Sequence, residues 1–189
     1  MGKDDCSSGS GLLLNLKRAV PIWPPGSSGS VPIATGQCGS AKIWLKSYPP
    51  IRLADLTALR YNTYVQNYGQ GGFLSAPLTL LINFGTDTTI DDELYFVPDY
   101  QDGTYSGPNQ GEVTLNTWQE WDARVGGWIS VTEGEFMTLA EYIQLHPNAQ
   151  IINAEGHSGF LFNLFWQYWI GYIGYLLIGI SGNNKVIRV

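Results

Sequence analysis

The sequence predicts an all-β protein: a jelly-roll-type antiparallel β-sandwich with one short helix and an N-terminal extended arm. Three observations carry that expectation. Aromatic residues make up 13% of the chain and charged residues only 14%, a balance that suits pleated, half-buried surfaces rather than a disordered chain. Segments whose side chains alternate with period two recur between residues 41 and 131, punctuated by glycine and proline. Only one segment breaks that period in favour of a helix.

The elements follow in order. Residues 1–10 are polar and Gly/Ser-rich, and GLLLNLKRAV at 11–20 is a short apolar run with the length and character of a strand. PIWPPGSSGSVP follows with four prolines and reads as a linker. Residues 1–30 are therefore an arm and linker, and residues 31–189 the sandwich domain. In SAKIWLKSY, Lys42, Trp44 and Lys46 alternate with Ile43 and Leu45. LTALRYNTYVQNY places Leu59, Tyr61, Thr63 and Val65 on one face. APLTLLINFG is a nearly continuous apolar strand, and DELYFVPDY alternates up to Pro98. GEVTLNTWQEWDARVGGWISV reads as two strands with Gly126-Gly127 at the turn. MTLAEYIQLHP carries a capping box, Thr138-x-x-Glu141, and stops at Pro147, which predicts a helix of about two turns. One short helix across the end of a sandwich suits a jelly roll.

Residues 159–181, GFLFNLFWQYWIGYIGYLLIGIS, hold 23 residues without a charge. That is long enough for a membrane span. The composition argues against one. Four glycines lie within it, each costing about 1 kcal/mol in a helix interior relative to alanine. Its Trp and Tyr residues fill the middle rather than the ends, where membrane aromatics gather. The strand reading divides it into GFLFNLFW, a turn or glycine-bent segment QYWIGYIG, and YLLIGIS, with KVIRV as a terminal strand. Both phases of the first and third pieces are apolar, as in strands buried on both faces. Phe160, Phe162, Trp166 and Trp169 are accordingly candidates for a core wall or a subunit interface.

Net charge is −6 and the pI is near 4.7, which excludes nucleic acid and disfavours anionic membranes, since both need a basic patch. The opening MGKDDCSSGS shows no apolar signal core, so the chain reads as a mature form or a cytosolic one, and no N-x-[ST] sequon occurs. The two cysteines, Cys6 and Cys38, are too few for a metal site with two distant histidines. In an extracellular protein they would form a disulfide closing about 30 residues, worth roughly 3–4 kcal/mol. The alternative is two unrelated buried thiols.

Across RLADLTALRYNTYV, APLTLLINF, LYFVP, TWQEWDARVGGWISV and TLAEYIQLHPNAQI, the chain resembles a loose group of secreted bacterial β-sandwich proteins, concanavalin-like or jelly-roll in build. The likeness covers roughly residues 40–189. Its most specific element is Trp118-Gln119-x-Trp121-Asp122-Ala123 with Gly127-Trp128. The resemblance implies an extracellular or cell-surface sandwich without established catalytic residues. Gly182-Asn183-Asn184-Lys185-Val186 stands where that group often has an Asp-Asn-Val strand.

Four kinds of site come from the residues. If the arm is donated to a neighbouring copy, Leu12, Leu13, Leu14 and Leu16 would fill that copy's groove by strand addition, giving a ring or filament. If it folds back, it is an ordinary first strand. Trp118, Trp121 and Trp128 could stack on sugars, although tryptophan in a strand is more often core. Asp87, Asp91 and Asp92, with Thr88 and Glu93 nearby and Asp99 and Asp102 further on, could supply oxygens to Ca²⁺, or form a solvated acidic turn. Glu120 and Asp122 share a strand face, the minimum for glycoside hydrolysis. No G-x-S-x-G elbow or Ser-His-Asp pattern accompanies His146 or His157. The expected function is a non-enzymatic, self-assembling subunit of an extracellular filament or appendage, partnered by copies of itself. The alternative is a secreted carbohydrate-binding module. No cofactor beyond Ca²⁺ is implied.

Overall fold

The computed structural model describes residues 30–34, 41–44, 49–67, 75–85, 87–153, 159–164 and 170–181. Among them the chain forms twelve β-strands and one α-helix. The strands are β1 (Val31–Ala34), β2 (Ala41–Trp44), β3 (Ile51–Arg52), β4 (Leu56–Asn67), β5 (Leu78–Asn83), β6 (Asp92–Phe96), β7 (Trp118–Asp122), β8 (Gly127–Ser130), β9 (Phe136–Thr138), β10 (Gln150–Ile151), β11 (Phe160–Leu164) and β12 (Ile170–Ile180). The helix α1 spans Leu139–Leu145.

Two antiparallel sheets result. One runs β1-β12-β4-β7, the other β2-β11-β5-β6-β8-β9, with the two-residue strand β10 paired to β5 and the two-residue strand β3 paired to β10. The first described strand lies beside the last, and the second beside the second-last. The outer strands of the described chain are thus nested, first with last, in an antiparallel all-β sandwich. Aromatic side chains tie the sheets face to face. Tyr61 on β4 meets Phe162 on β11 at a centroid distance of 5.0 Å and Phe96 on β6 at 5.9 Å.

Period two explains which side chains do this. Leu59, Tyr61, Thr63 and Val65 are buried on the inward face of β4, while Arg60 faces solvent. In β5 all six side chains are buried, so its outward residues Thr79, Leu81 and Asn83 are covered as well. The near-continuous apolar run reflects this two-sided burial. In β6 the inward Asp92, Leu94 and Phe96 alternate with the partly exposed Glu93 and Tyr95.

The helix forms where the capping box requires. Thr138 Oγ1 accepts from the Glu141 backbone N–H at 3.2 Å, and Glu141 Oε2 accepts from Thr138 N at 2.7 Å. Leu139 and Tyr142 turn inward and close one end of the sandwich.

Three expectations are narrowed or corrected. Residues 170–180 form one strand, so of the two readings of QYWIGYIG the turn is excluded from residue 170 onward and the glycine-bent segment fits. The glycine signal at Gly174 is a bulge: register passes from Ile173↔Thr63 to Leu176↔Tyr61, leaving Gly174 and Tyr175 opposite Asn62 alone. Gly127 opens β8, and the turn before it spans residues 123–126. It joins strands of different sheets, because β7 pairs with β4 while β8 pairs with β6. GEVTLN makes no strand and contributes one isolated parallel bridge, Leu115 to Val65. No described helix is long and apolar enough to cross a membrane.

Candidate functional site

Between β6 and β7 lies a connection from Val97 to Thr117 that contains one short 3₁₀ turn, Pro98–Tyr100. A loop of this length in a compact domain is either mobile or held for a purpose. This one is held. Gln101 is buried and uses both ends of its amide: Nε2 donates to the carbonyls of Val97 (3.1 Å) and Gly127 (2.9 Å), and Oε1 accepts from Gly127 N at 3.0 Å. Its own carbonyl accepts from Gln110 N. Gln110 does the same to β7, donating to Asp122 O at 3.1 Å and accepting from Asp122 N at 2.7 Å. Two glutamines thus stitch the loop to the β7–β8 junction. Glycine is required there: a Cβ on Gly126 would overlap Phe96 and Gln101, and one on Gly127 the Ser106 carbonyl.

The loop presents three aromatic rings with β9. Tyr105 stacks on Phe136 at 4.2 Å with an interplanar angle of 21°. Tyr100 closes edge-on against both, at 5.0 Å from Tyr105 and 5.4 Å from Phe136. Ser106 Oγ donates to Phe136 O at 2.9 Å and fixes the stack to the strand. Phe136 and Tyr100 are partly buried, yet Tyr105 remains 42% exposed. Burial raises the Tyr100 hydroxyl above its ordinary range, with the charges of Tyr105 and Asp99 adding to the effect. Asp102 is held below the usual carboxylate range by hydrogen bonds from the backbone and side chain of Thr104.

The glycan candidates from the sequence separate. Trp121 and Trp128 are fully buried core residues. Trp121 Nε1 donates to Thr63 Oγ1 at 2.8 Å, and Trp128 Nε1 donates to Ala123 O at 2.8 Å. They offer no face to a sugar, and this part of the glycan expectation is corrected. Trp118 lies on the outward face beside Tyr64, ring centroids 5.5 Å apart. The three do not form one site, since Trp118 and Trp121 are on opposite faces of β7 and Trp128 belongs to the other sheet.

Glu120 and Asp122 share the outward face, as their spacing requires. Arg60 faces both, with Nη2 2.9 Å from Asp122 Oδ2 and Nη1 3.8 Å from Glu120 Oε1.

The calcium candidates also separate. Asp87 Oδ1 and Asp91 Oδ2 both accept from Asn83 Nδ2, at 2.7 and 3.1 Å. Asp92 turns inward, where its Oδ2 accepts from Ser130 Oγ (2.6 Å) and Tyr142 Oη (2.7 Å) and its Oδ1 from Thr132 N (2.9 Å). Burial pushes the Asp92 carboxyl up, but these hydrogen bonds outweigh burial and hold it low. Among the described residues no three His, Cys, Asp or Glu side chains could hold one metal ion. The expected joint site of Asp87, Asp91 and Asp92 is corrected on this geometry.

His146 caps the C-terminus of α1. Its ring stacks on Phe84 at 4.2 Å, and Nε2 lies 2.9 Å from Glu133 Oε1. Phe160 and Phe162 are buried on the inward face of β11, in the core wall that the sequence offered as one of their two places. Leu12, Leu13, Leu14, Leu16, Cys6, Cys38, Trp166, Trp169 and His157 lie outside the described residues.

Sequence reasoning passed over Tyr100, Tyr105 and Phe136. They come from two segments 31 residues apart at Tyr105 and Phe136, and no spacing rule joins them. The available signal was the long Gly/Pro/Asn/Asp-rich stretch after Pro98, which marks a functional or mobile loop.

Compared with known proteins, the chain matches no family model, no curated protein and no solved structure.

Proposed function

We propose that the domain is a carbohydrate-binding β-sandwich whose contact face is the Tyr100–Tyr105–Phe136 platform. One observation carries this reading. Tyr105 is backed by a stacked ring, on a loop anchored by Gln101 and Gln110, and is still 42% exposed. A rigid aromatic face in water suits the apolar C–H face of a pyranose, because little entropy is lost on contact.

The test is calorimetry of the full chain against a panel of neutral oligosaccharides. Saturable binding that Tyr105→Ala removes, with the melting temperature kept within a few degrees, is the expected result. Failure of every saccharide to bind, or full binding by Tyr105→Ala, would overturn the proposal. Assembly through the arm rests on residues outside those described and is taken up with the arm deletion below.

A further inference from the structure

The platform is one end of a longer feature. Register pairs Phe136 with Ile129, Ile129 with Tyr95, and Tyr95 with Thr79. These four positions form a single row across β9, β8, β6 and β5. All four lie on the outward face of the sheet, because their strand neighbours Met137, Trp128, Leu94 and Leu80 are buried in the core. Phe136, Ile129 and Tyr95 are each partly exposed, and Tyr105, stacked on Phe136, adds a further ring. Tyr95 donates its hydroxyl to Glu93 Oε2, two residues back on the same face, so its ring leans along the strand.

The row ends on a polar deficit. Thr79 is fully buried, and among the described residues its Oγ1 has no hydrogen-bond partner. Buried hydroxyls are rarely left in that state, and each that is calls for an explanation. This one stands on the outward face beside Tyr95, at the inner end of the row. Neighbouring strands lie about 4.8 Å apart, so the four positions span about 14 Å, close to the length of an extended run of about four sugars.

Resting on the glycan reading above, we infer that the domain takes an extended stretch of a glycan chain, laid across the strands along the Phe136–Ile129–Tyr95–Thr79 row, rather than a single terminal sugar. The apolar positions receive the C–H faces of successive sugars. A hydroxyl of the sugar at the inner end pairs with Thr79 Oγ1. One terminal sugar would occupy one position and leave that hydroxyl as it is.

Chain length separates this inference from the reading beneath it. Glucose chains joined β-1,4, from dimer to hexamer, are titrated into the full chain, with the corresponding mannose and N-acetylglucosamine series beside them. Affinity for the series that binds should climb from the dimer to about the tetramer and then level off. Thr79→Val keeps the shape of the side chain and removes the hydroxyl. It should lower tetramer affinity about threefold to tenfold, the usual net worth of one hydrogen bond, without lowering the melting temperature. Tyr95→Leu keeps the position apolar and removes the ring, and should also weaken the tetramer several-fold. A dimer that binds as tightly as the hexamer overturns the inference while glycan binding stands. Tetramer affinity that survives either substitution also overturns it. If no length of any series binds, the glycan reading itself is wrong.

Discussion

Tyr142 on α1 donates its hydroxyl to the buried Asp92 carboxylate on β6, Oη to Oδ2 at 2.7 Å, across fifty residues of chain. This bond fastens the helix to the six-strand run of the second sheet. Asp92 also holds the turn after β8, through Ser130 Oγ and Thr132 N. One carboxylate therefore organises the whole end of the sandwich, and burial of the Tyr142 ring pushes its own hydroxyl far above the ordinary tyrosine range, Asp92 adding to it.

Tyr142→Phe should cost about 1.5–3 kcal/mol at neutral pH, the usual worth of a hydrogen bond to a charged group. The pH dependence has a definite sign. The folded Asp92 carboxyl titrates below its unfolded value, near 3.9, so its contribution is fully present above that value. The contribution is lost as pH falls through the folded value, and the gap between wild type and Tyr142→Phe should narrow on acidification. Urea unfolding at pH 7 and pH 3 reads this directly. A gap that widens in acid would show that Asp92 is not the partner that matters.

Trp121 and Trp128 fill the core, so truncation should unfold rather than merely blunt the protein. Trp128→Ala is expected to cost about 3–5 kcal/mol. Trp121→Ala should cost a similar amount and also leave Thr63 Oγ1 without its indole donor. Chemical denaturation checks both. A folded Trp128→Ala protein of unchanged stability would place that residue at the surface after all.

Gly127→Ala tests the anchoring of the loop. The new methyl would overlap the Ser106 carbonyl, and overpacking of this kind costs about 1–3 kcal/mol. Backbone cannot retreat as a flexible side chain can, so the loop should lift. Hydrogen exchange should show faster exchange at Gln110 N and at the Gly127 N–H that Gln101 holds. Exchange unchanged at both positions would mean that the glutamine stitches tolerate the displacement.

If residues 1–20 are an arm donated to a neighbouring copy, their deletion should leave the sandwich folded with nearly the same melting temperature. Light scattering on both chains then addresses arm donation from Leu12 to Leu16. Self-association of the intact chain that disappears with the arm supports it. A monomer in both cases removes it, and unfolding on deletion would make the arm an internal strand.

Much of the fold is written locally. Alternation along LTALRYNTYV specifies which side of β4 is buried, because period two is a property of the strand alone. Thr138 and Glu141 start the helix because a capping box needs only residues three apart. The carboxylates Glu120 and Asp122 share a face for the same local reason. What no local rule contains is partnership. Whether a strand continues through Gly174 depends on Asn62 lying opposite it in another strand.

The same division holds for the site. Sequence alone determined that the protein is aromatic-rich, acidic and built of strands, and that a long punctuated loop follows Pro98. Tertiary structure decided which aromatics meet water. Trp121 and Trp128 went inward because their strands' buried faces claimed them, while Tyr105 was brought onto Phe136 by a loop that Gln101 and Gln110 hold against two strands. Exposure belongs to the packed whole: a side chain is buried or free according to what the distant chain lays over it, and that is settled only when the two sheets close.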